Sequence, residues 1–146
     1  MMEGVARSLG VELHLFEVRE PTAFDSAFAA MTTAHVHALH VLGDPSFAPH
    51  HAQIVALAAQ HHLPSICSGG RSFAEAGCLM SYSPSGRGRG QQIAIYVDKI
   101  LHGARPADLP VEQAMHFEFV INLKTAQALG LTLAPVVLFQ ADEVIR

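Results

Sequence analysis

A chain of 146 residues, half of them hydrophobic and 15% charged, can bury one ordinary domain core and does not have the composition of a disordered segment. Its net charge of -4 comes with no basic stripe and no charge run, which argues against a nucleic-acid surface and against an acidic or basic tail. No apolar run approaches the roughly 18 residues of a membrane span, and the opening MMEGVARSLG lacks the basic-then-apolar pattern of a secretory signal.

Val5 and Leu9 mark a short helix that runs through Gly10 into a strand. In that strand, Val11 to Val18, the residues Val11, Leu13 and Leu15 alternate with Glu12, His14 and Phe16. Thr22 then stands as the N-cap of a helix whose Phe24, Phe28 and Met31 recur at helical spacing. Val36 to Leu42 predicts a second strand, ending at Gly43-Asp44-Pro45, and Ile54, Leu57 and Ala58 form the apolar face of a helix that ends near His61-His62. A third strand, Leu63 to Cys67, meets Gly69-Gly70; a short helix around Phe73 to Ala76 and a fourth strand, Gly77 to Tyr82, follow. Ser83 to Gly90 (SPSGRGRG) reads as a flexible loop before a helix near Arg89 to Leu101. Phe117 to Ile121 is a fifth strand, Asn122 caps a helix that stops at Gly130, and Pro135 opens a last short helix.

Repeated alternation of strand and helix with short Gly- and Pro-bearing turns predicts an α/β fold: a parallel sheet with helices on both faces. In such a sheet, ligands meet the loops at the carboxyl ends of the strands. Here those loops are Gly43 to Phe47, Ser68 to Arg71 and Ser81 to Ser85. Asp44 is placed to meet a ligand ammonium, and the same residue suits an Asx-turn or a helix cap. Arg71 can clamp a carboxylate or stand solvated in a first helical turn, with Ser68 in the same loop. Tyr82 can stack on a planar solute or pack at a hinge.

The ten histidines raise the question of a metal. On an extended strand His35 and His37 share a side, about 7 Å apart, with His40 opposite. Zinc needs further ligands and an outer shell of supporting groups, and no HExxH is present. The adjacent pairs His50-His51 and His61-His62 diverge by about 100 degrees on a helix. No metal and no cofactor are therefore expected. Cys67 and Cys78 flank apolar runs and read as buried free thiols. Ser68 lies in no G-x-S-x-G elbow, and Ser81 and Ser83 have no His and Asp nearby, so no catalytic residue is assigned. The Gly86 to Gly90 repeat can cradle a phosphate, but it lacks the Lys-Ser/Thr of a P-loop and reads as a solvated hinge.

The stretch Lys99 to Leu133 closely resembles the C-terminal signature of ABC-transporter substrate-binding proteins, two-lobed solute receptors of which some are similar to tryptophan or aromatic amino-acid binders. AFAAM (Ala27 to Met31), VLGDPSF (Val41 to Phe47), AEAGCLMSYSPS (Ala74 to Ser85), YVDKILHGARPADLPVEQ (Tyr96 to Gln113), FVINLKTAQALGLTL (Phe119 to Leu133) and ADEVI (Ala141 to Ile145) carry the likeness. The Gly86 to Gly90 repeat departs from it, since relatives tend to place an acidic or aromatic residue there.

The resemblance implies the type I periplasmic-binding-protein fold. It also implies that this chain is the later part of a longer receptor: residues 1–82 as the second lobe, and residues 83–146 as a hinge-crossing helix with a returning βα segment. The implied function is non-enzymatic binding of a small organic solute of amino-acid type for an ABC permease. The implied location is periplasmic or lipid-anchored for the full-length receptor, and cytoplasmic for this chain as it stands. Surface normally covered by the other lobe implies a homodimer. A stand-alone flavodoxin-like signalling domain and a metal-dependent α/β enzyme are the alternatives.

Overall fold

The computed structural model describes residues 2–112 and 116–146; Met1 and Gln113, which bound two of the segments above, lie outside them. The chain forms two compact units, Met1–His37 and Ala38–Arg146.

In the first unit, helix α1 (Met2–Ser8) ends in a turn at Gly10, whose φ is +68°. The strand expected over Val11 to Val18 is not formed: these residues have no regular secondary structure, and Leu13 and Leu15 are exposed. Alternation alone does not make a strand, because its N–H and C=O groups need a partner ladder. Among the described residues this segment joins none. A 3-10 turn at Pro21–Ala23 leads into α2 (Phe24–Thr33), with Phe24, Phe28 and Met31 buried as the spacing predicts. Thr22 is not the cap. Pro21, with its fixed φ, starts the turn, and no side chain caps α2. His35 has φ +53°, so the strand geometry expected for His35 and His37 does not hold.

The second unit holds a five-stranded sheet in the order β1 to β5. The strands are β1 (Leu39–Val41), β2 (Ser65–Cys67), β3 (Met80–Pro84), β4 (Phe117–Asn122) and β5 (Glu143–Ile145). The helices are α3 (His51–Gln60), α4 (Arg71–Ala76), α5 (Gly86–Leu101), α6 (Leu123–Ala128) and α7 (Pro135–Phe139). This is the expected α/β class with a mostly parallel sheet. β1–β2, β2–β3 and β4–β5 pair parallel, whereas β4 runs antiparallel to β3. β5 was not expected: three residues are too few for a periodic signal, and the strand exists because β4 offers an edge.

One row of side chains crosses the sheet in register: Val41, Cys67, Ser81, Val120 and Glu143. Its first four members are buried, and α4 packs on β3, β4 and α3. The core continues through Ile54, Val55, Leu57 and Ala58 of α3 and Phe73 and Ala74 of α4. Asn122 ties β4 into this layer. Its Oδ1 accepts from the Thr125 N–H at 3.1 Å, capping α6, and its Nδ2 donates to the Ala74 carbonyl at 2.8 Å.

Two expectations fail here. Cys67 and Cys78 are not free thiols; they form a disulfide, with Cα atoms 6.6 Å apart. Eleven positions apart in sequence, they come within bridging range because β2 and β3 are neighbours. Their burial was legible and their pairing was not. The Gly86 to Gly90 repeat is not a loop either. It forms the first turns of α5, because Ser85 Oγ accepts from the Gly88 N–H at 3.4 Å and the good helix formers after it propagate the turn. Among the described residues no helix is long and apolar enough to cross a membrane.

Candidate ligand-binding site

The carboxyl ends of β1 and β2 lie side by side, and their loops touch. A Cβ built on Gly43 would stand 2.8 Å from the Ser68 carbonyl oxygen, so only glycine allows this approach. Ser68 donates its N–H to the Val41 carbonyl at 2.9 Å, and its hydroxyl meets His40 Nε2 at 3.1 Å. Asp44 begins the next turn. Its Oδ1 accepts from the Ser46 N–H at 2.8 Å and the Ser46 hydroxyl at 2.5 Å. The hydroxyl and then the amide of Ser46 hold its carboxyl below the ordinary carboxylate range, so the group is an anion at neutral pH. The local Asx-turn is present, and the exposed second oxygen stays available to a ligand.

Arg71 stands in the same loop as Ser68, but two carboxylates engage it. Its Nε donates to Glu75 Oε1 at 2.7 Å, and its Nη1 donates to Glu143 Oε2. The hydrogen bond to Glu75 and the charge of Glu143 raise the guanidinium's pKa further. Glu143 is the charged end of the buried row, and Arg71 neutralises it. Ahead of α4, Gly70 sits at φ +84°, with its carbonyl accepting from Ser81 Oγ at 2.8 Å.

Tyr82 is half-exposed on the opposite face from Ser81 and Ser83, which are buried. Its ring stacks on Phe117 (5.2 Å, 12° between planes) and meets Phe119 edge-on at 6.3 Å. Val41, Cys67 and Ser81 are in register; Leu42 and Ser68 follow the ends of β1 and β2, and Tyr82 pairs with Phe119. The structure thus brings Asp44 and Ser68 to adjoining loops, adds His40 to Ser68, and turns Arg71 toward Glu143. Tyr82 is two strands from β1, in an aromatic group with Phe117 and Phe119. The sequence weighs His40 only toward a metal and gives no signal for Phe117 and Phe119 as site residues, because only the β3–β4 register sets them beside Tyr82.

A family model for ABC transporter substrate-binding proteins matches residues 1–145. The chain belongs to this family. It resembles solved structures over nearly its whole length. A conserved domain protein from Vibrio cholerae O1 biovar eltor aligns at TM-score 0.88 and 26% identity, over 98% of this chain and 48% of that one. An ABC domain from Streptococcus pneumonia, solved in complex with L-Trp, aligns at TM-score 0.88 and 30% identity, over 97% and 48%. The ligand-free, open structure of a substrate-binding protein with adhesive properties from Clostridium difficile shares the fold at TM-score 0.68 and 16% identity, over 99% and 48%. The chain therefore spans about half the length of the structures it matches. No curated protein sequence matches it.

A further concavity of about 180 Å³ lies between Ser85 with the first turns of α5 and the residues Glu112 and His116. Gln92 donates to Glu112 across it at 2.6 Å. Among the described residues, no three His, Cys, Asp or Glu side chains converge on a metal position.

Proposed function

We propose that this chain supplies one wall of the solute-binding component of an ABC-type importer, and that the solute is an amino acid with a planar side chain. The observation that carries the reading is the composition of one sheet face. An anionic Asp44 stands at the strand ends, the Ser68–His40 pair lies beside it, and the aromatic group of Tyr82, Phe117 and Phe119 continues the surface. A carboxylate suits the ammonium, hydroxyl and imidazole groups suit polar atoms, and exposed rings suit stacking. The L-Trp complex of the Streptococcus pneumonia relative supports the same class.

On this reading the chain grips and makes or breaks no bond. Residues 1–82 serve as a lobe, and residues 83–146 cross the hinge and return. A permease reads the closed receptor. α5 supports the second wall: Ile93, Val97, Ile100 and Leu101 recur at helical spacing and are exposed, a stripe that the other half of a full-length receptor would cover. Without that half, two copies of this chain pair through it. The Cys67–Cys78 disulfide supports a location outside the cytoplasm, where such bridges persist.

Native mass spectrometry on protein purified without denaturation tests the reading, with thermal shifts over a panel of amino acids. The expected result is a carried-over or added aromatic amino acid, stabilisation by that amino acid independent of metal, and a dimeric particle for this chain. Stabilisation by zinc and by no amino acid would overturn the solute reading; a monomer would overturn the pairing.

A further inference from the structure

The disulfide closes a specific piece of chain. Cys67 is the last residue of β2 and Cys78 stands just before β3; Ser68, Gly69, Gly70, all of α4 and Gly77 lie between them. Both cysteines are buried, at 1% and 0% exposure. The β2–β3 ladder beside the bridge has only two paired positions, Ile66 with Met80 and Cys67 with Ser81. Non-covalent ties hold α4 and Gly77 through Asn122 and Thr125, whereas the Ser68 to Gly70 end is held by the Ser68 bonds to Val41 and His40 and by the Ser81 bond to the Gly70 carbonyl. The loop also lies close to its neighbour: Ser68 donates its N–H to the Val41 carbonyl, and a Cβ on Gly43 would stand 2.8 Å from the Ser68 carbonyl oxygen, so there is little room for Ser68 to move without the turn that holds Asp44.

Resting on the solute-binding reading above, we propose that Cys67 and Cys78 are positioning residues for the ligand loops, and that their redox state sets the affinity. Oxidised, the bridge holds Ser68 at the height where it meets His40 and fixes the Gly43–Asp44 turn. A dithiol reverses this. Its thiolate attacks one sulfur to form a mixed disulfide, and its second thiol displaces the cysteine. Two electrons and two protons end on Cys67 and Cys78, and the reductant leaves as a cyclic disulfide. The reduced loop keeps the sheet but loses its preorganisation, and the solute then has to order it on binding. Because both sulfurs are buried, exchange with a dithiol waits on local opening.

The test compares the oxidised chain with the Cys67→Ala/Cys78→Ala variant, and with the wild-type chain refolded in a dithiol. Amide hydrogen exchange is read at Ser68, Phe73 and Gly77, whose N–H groups bond to Val41, Gly70 and Ala74, against the β4–β5 ladder outside the bridged segment. We expect exchange about tenfold faster in the loop and unchanged in the ladder, with L-tryptophan binding about fivefold weaker by calorimetry. Equal loop protection overturns the proposal, as does faster exchange with undiminished L-tryptophan affinity. If the variant and the dithiol-refolded chain are both unfolded, the bridge is a folding staple and the proposal is overturned. Faster exchange where the oxidised chain binds no L-tryptophan keeps the loop clamp and sinks the amino-acid reading instead.

Discussion

Gly43→Ala isolates the contact between the two ligand loops without removing any polar group. The new methyl would meet the Ser68 carbonyl oxygen at 2.8 Å, against the 3.4 Å at which ordinary contact begins, so 0.6 Å has to be found. Its neighbour is backbone, pinned by the Ser68 N–H bond to the Val41 carbonyl at 2.9 Å and by the adjoining Cys67 bridge. A rotamer change cannot relieve the clash; one loop must move. Overpacking of this kind costs about 1–3 kcal/mol. For a chain of this size each kcal/mol lowers the midpoint by about 2–4 °C, giving a drop of about 2–12 °C in thermal unfolding. Asp44 is displaced with the loop, so solute affinity falls as well, read by titration calorimetry on the folded variant. Gly90→Ala is the control for the clash: nothing lies within 4 Å of its built Cβ, and inside α5 the change should raise the midpoint rather than lower it. A Gly43→Ala chain with wild-type midpoint and wild-type affinity would refute the close approach and the coupling between the loops.

Asp44→Ala is expected to weaken solute binding by calorimetry while far-UV circular dichroism stays unchanged; equal affinity removes the ammonium contact. The same contact gives a pH dependence. Ser46 depresses the Asp44 pKa, so the charge is complete above the ordinary carboxylate range and binding is lost only as pH falls below it. An affinity that stays unchanged as the pH falls through and below that range would remove the Asp44 contact. Asn122→Ala removes the α6 cap, about 1 kcal/mol, and one of the two donors to the buried Ala74 carbonyl, which keeps the Gly77 N–H, about 0.5–1.5 kcal/mol. The expected loss of about 1.5–2.5 kcal/mol is read by denaturant unfolding, and a loss under about 0.5 kcal/mol means that water or another donor replaces the amide.

The parts of the fold legible in the sequence are those set by neighbours along the chain. Asn122 caps α6 because its acceptor and the Thr125 N–H are three residues apart. Asp44 forms its turn with Ser46 for the same reason. What stayed hidden depends on which segments lie side by side. Val11 to Val18 has the alternation of a strand and no ladder; Glu143–Ile145 has too little pattern for a strand and joins a ladder through β4. Cys67 and Cys78 pair through the β2–β3 adjacency. The Gly-Arg repeat misleads in the opposite sense: each glycine weakens a helix by about 1 kcal/mol, yet the Ser85 cap and the residues after Gly90 carry α5 through it.

The same distinction decides what this wall can recognise. Sequence alone leaves Arg71 open as a clamp for a solute carboxylate. In the structure, Glu75 and Glu143 already engage its guanidinium, and Glu143 needs that charge because it ends a row whose other members are buried. Drawing Arg71 toward a ligand would expose two carboxylates to each other, so its charge is committed to the fold. Among the described residues, Asp44 makes no ion pair and keeps its negative charge. On the proposed reading, this wall selects the cationic end and the planar side chain of its solute. The solute's own carboxylate must then be met by donors on the opposing wall. Neither half alone would hold an amino acid well, which is the physical reason such a receptor has two.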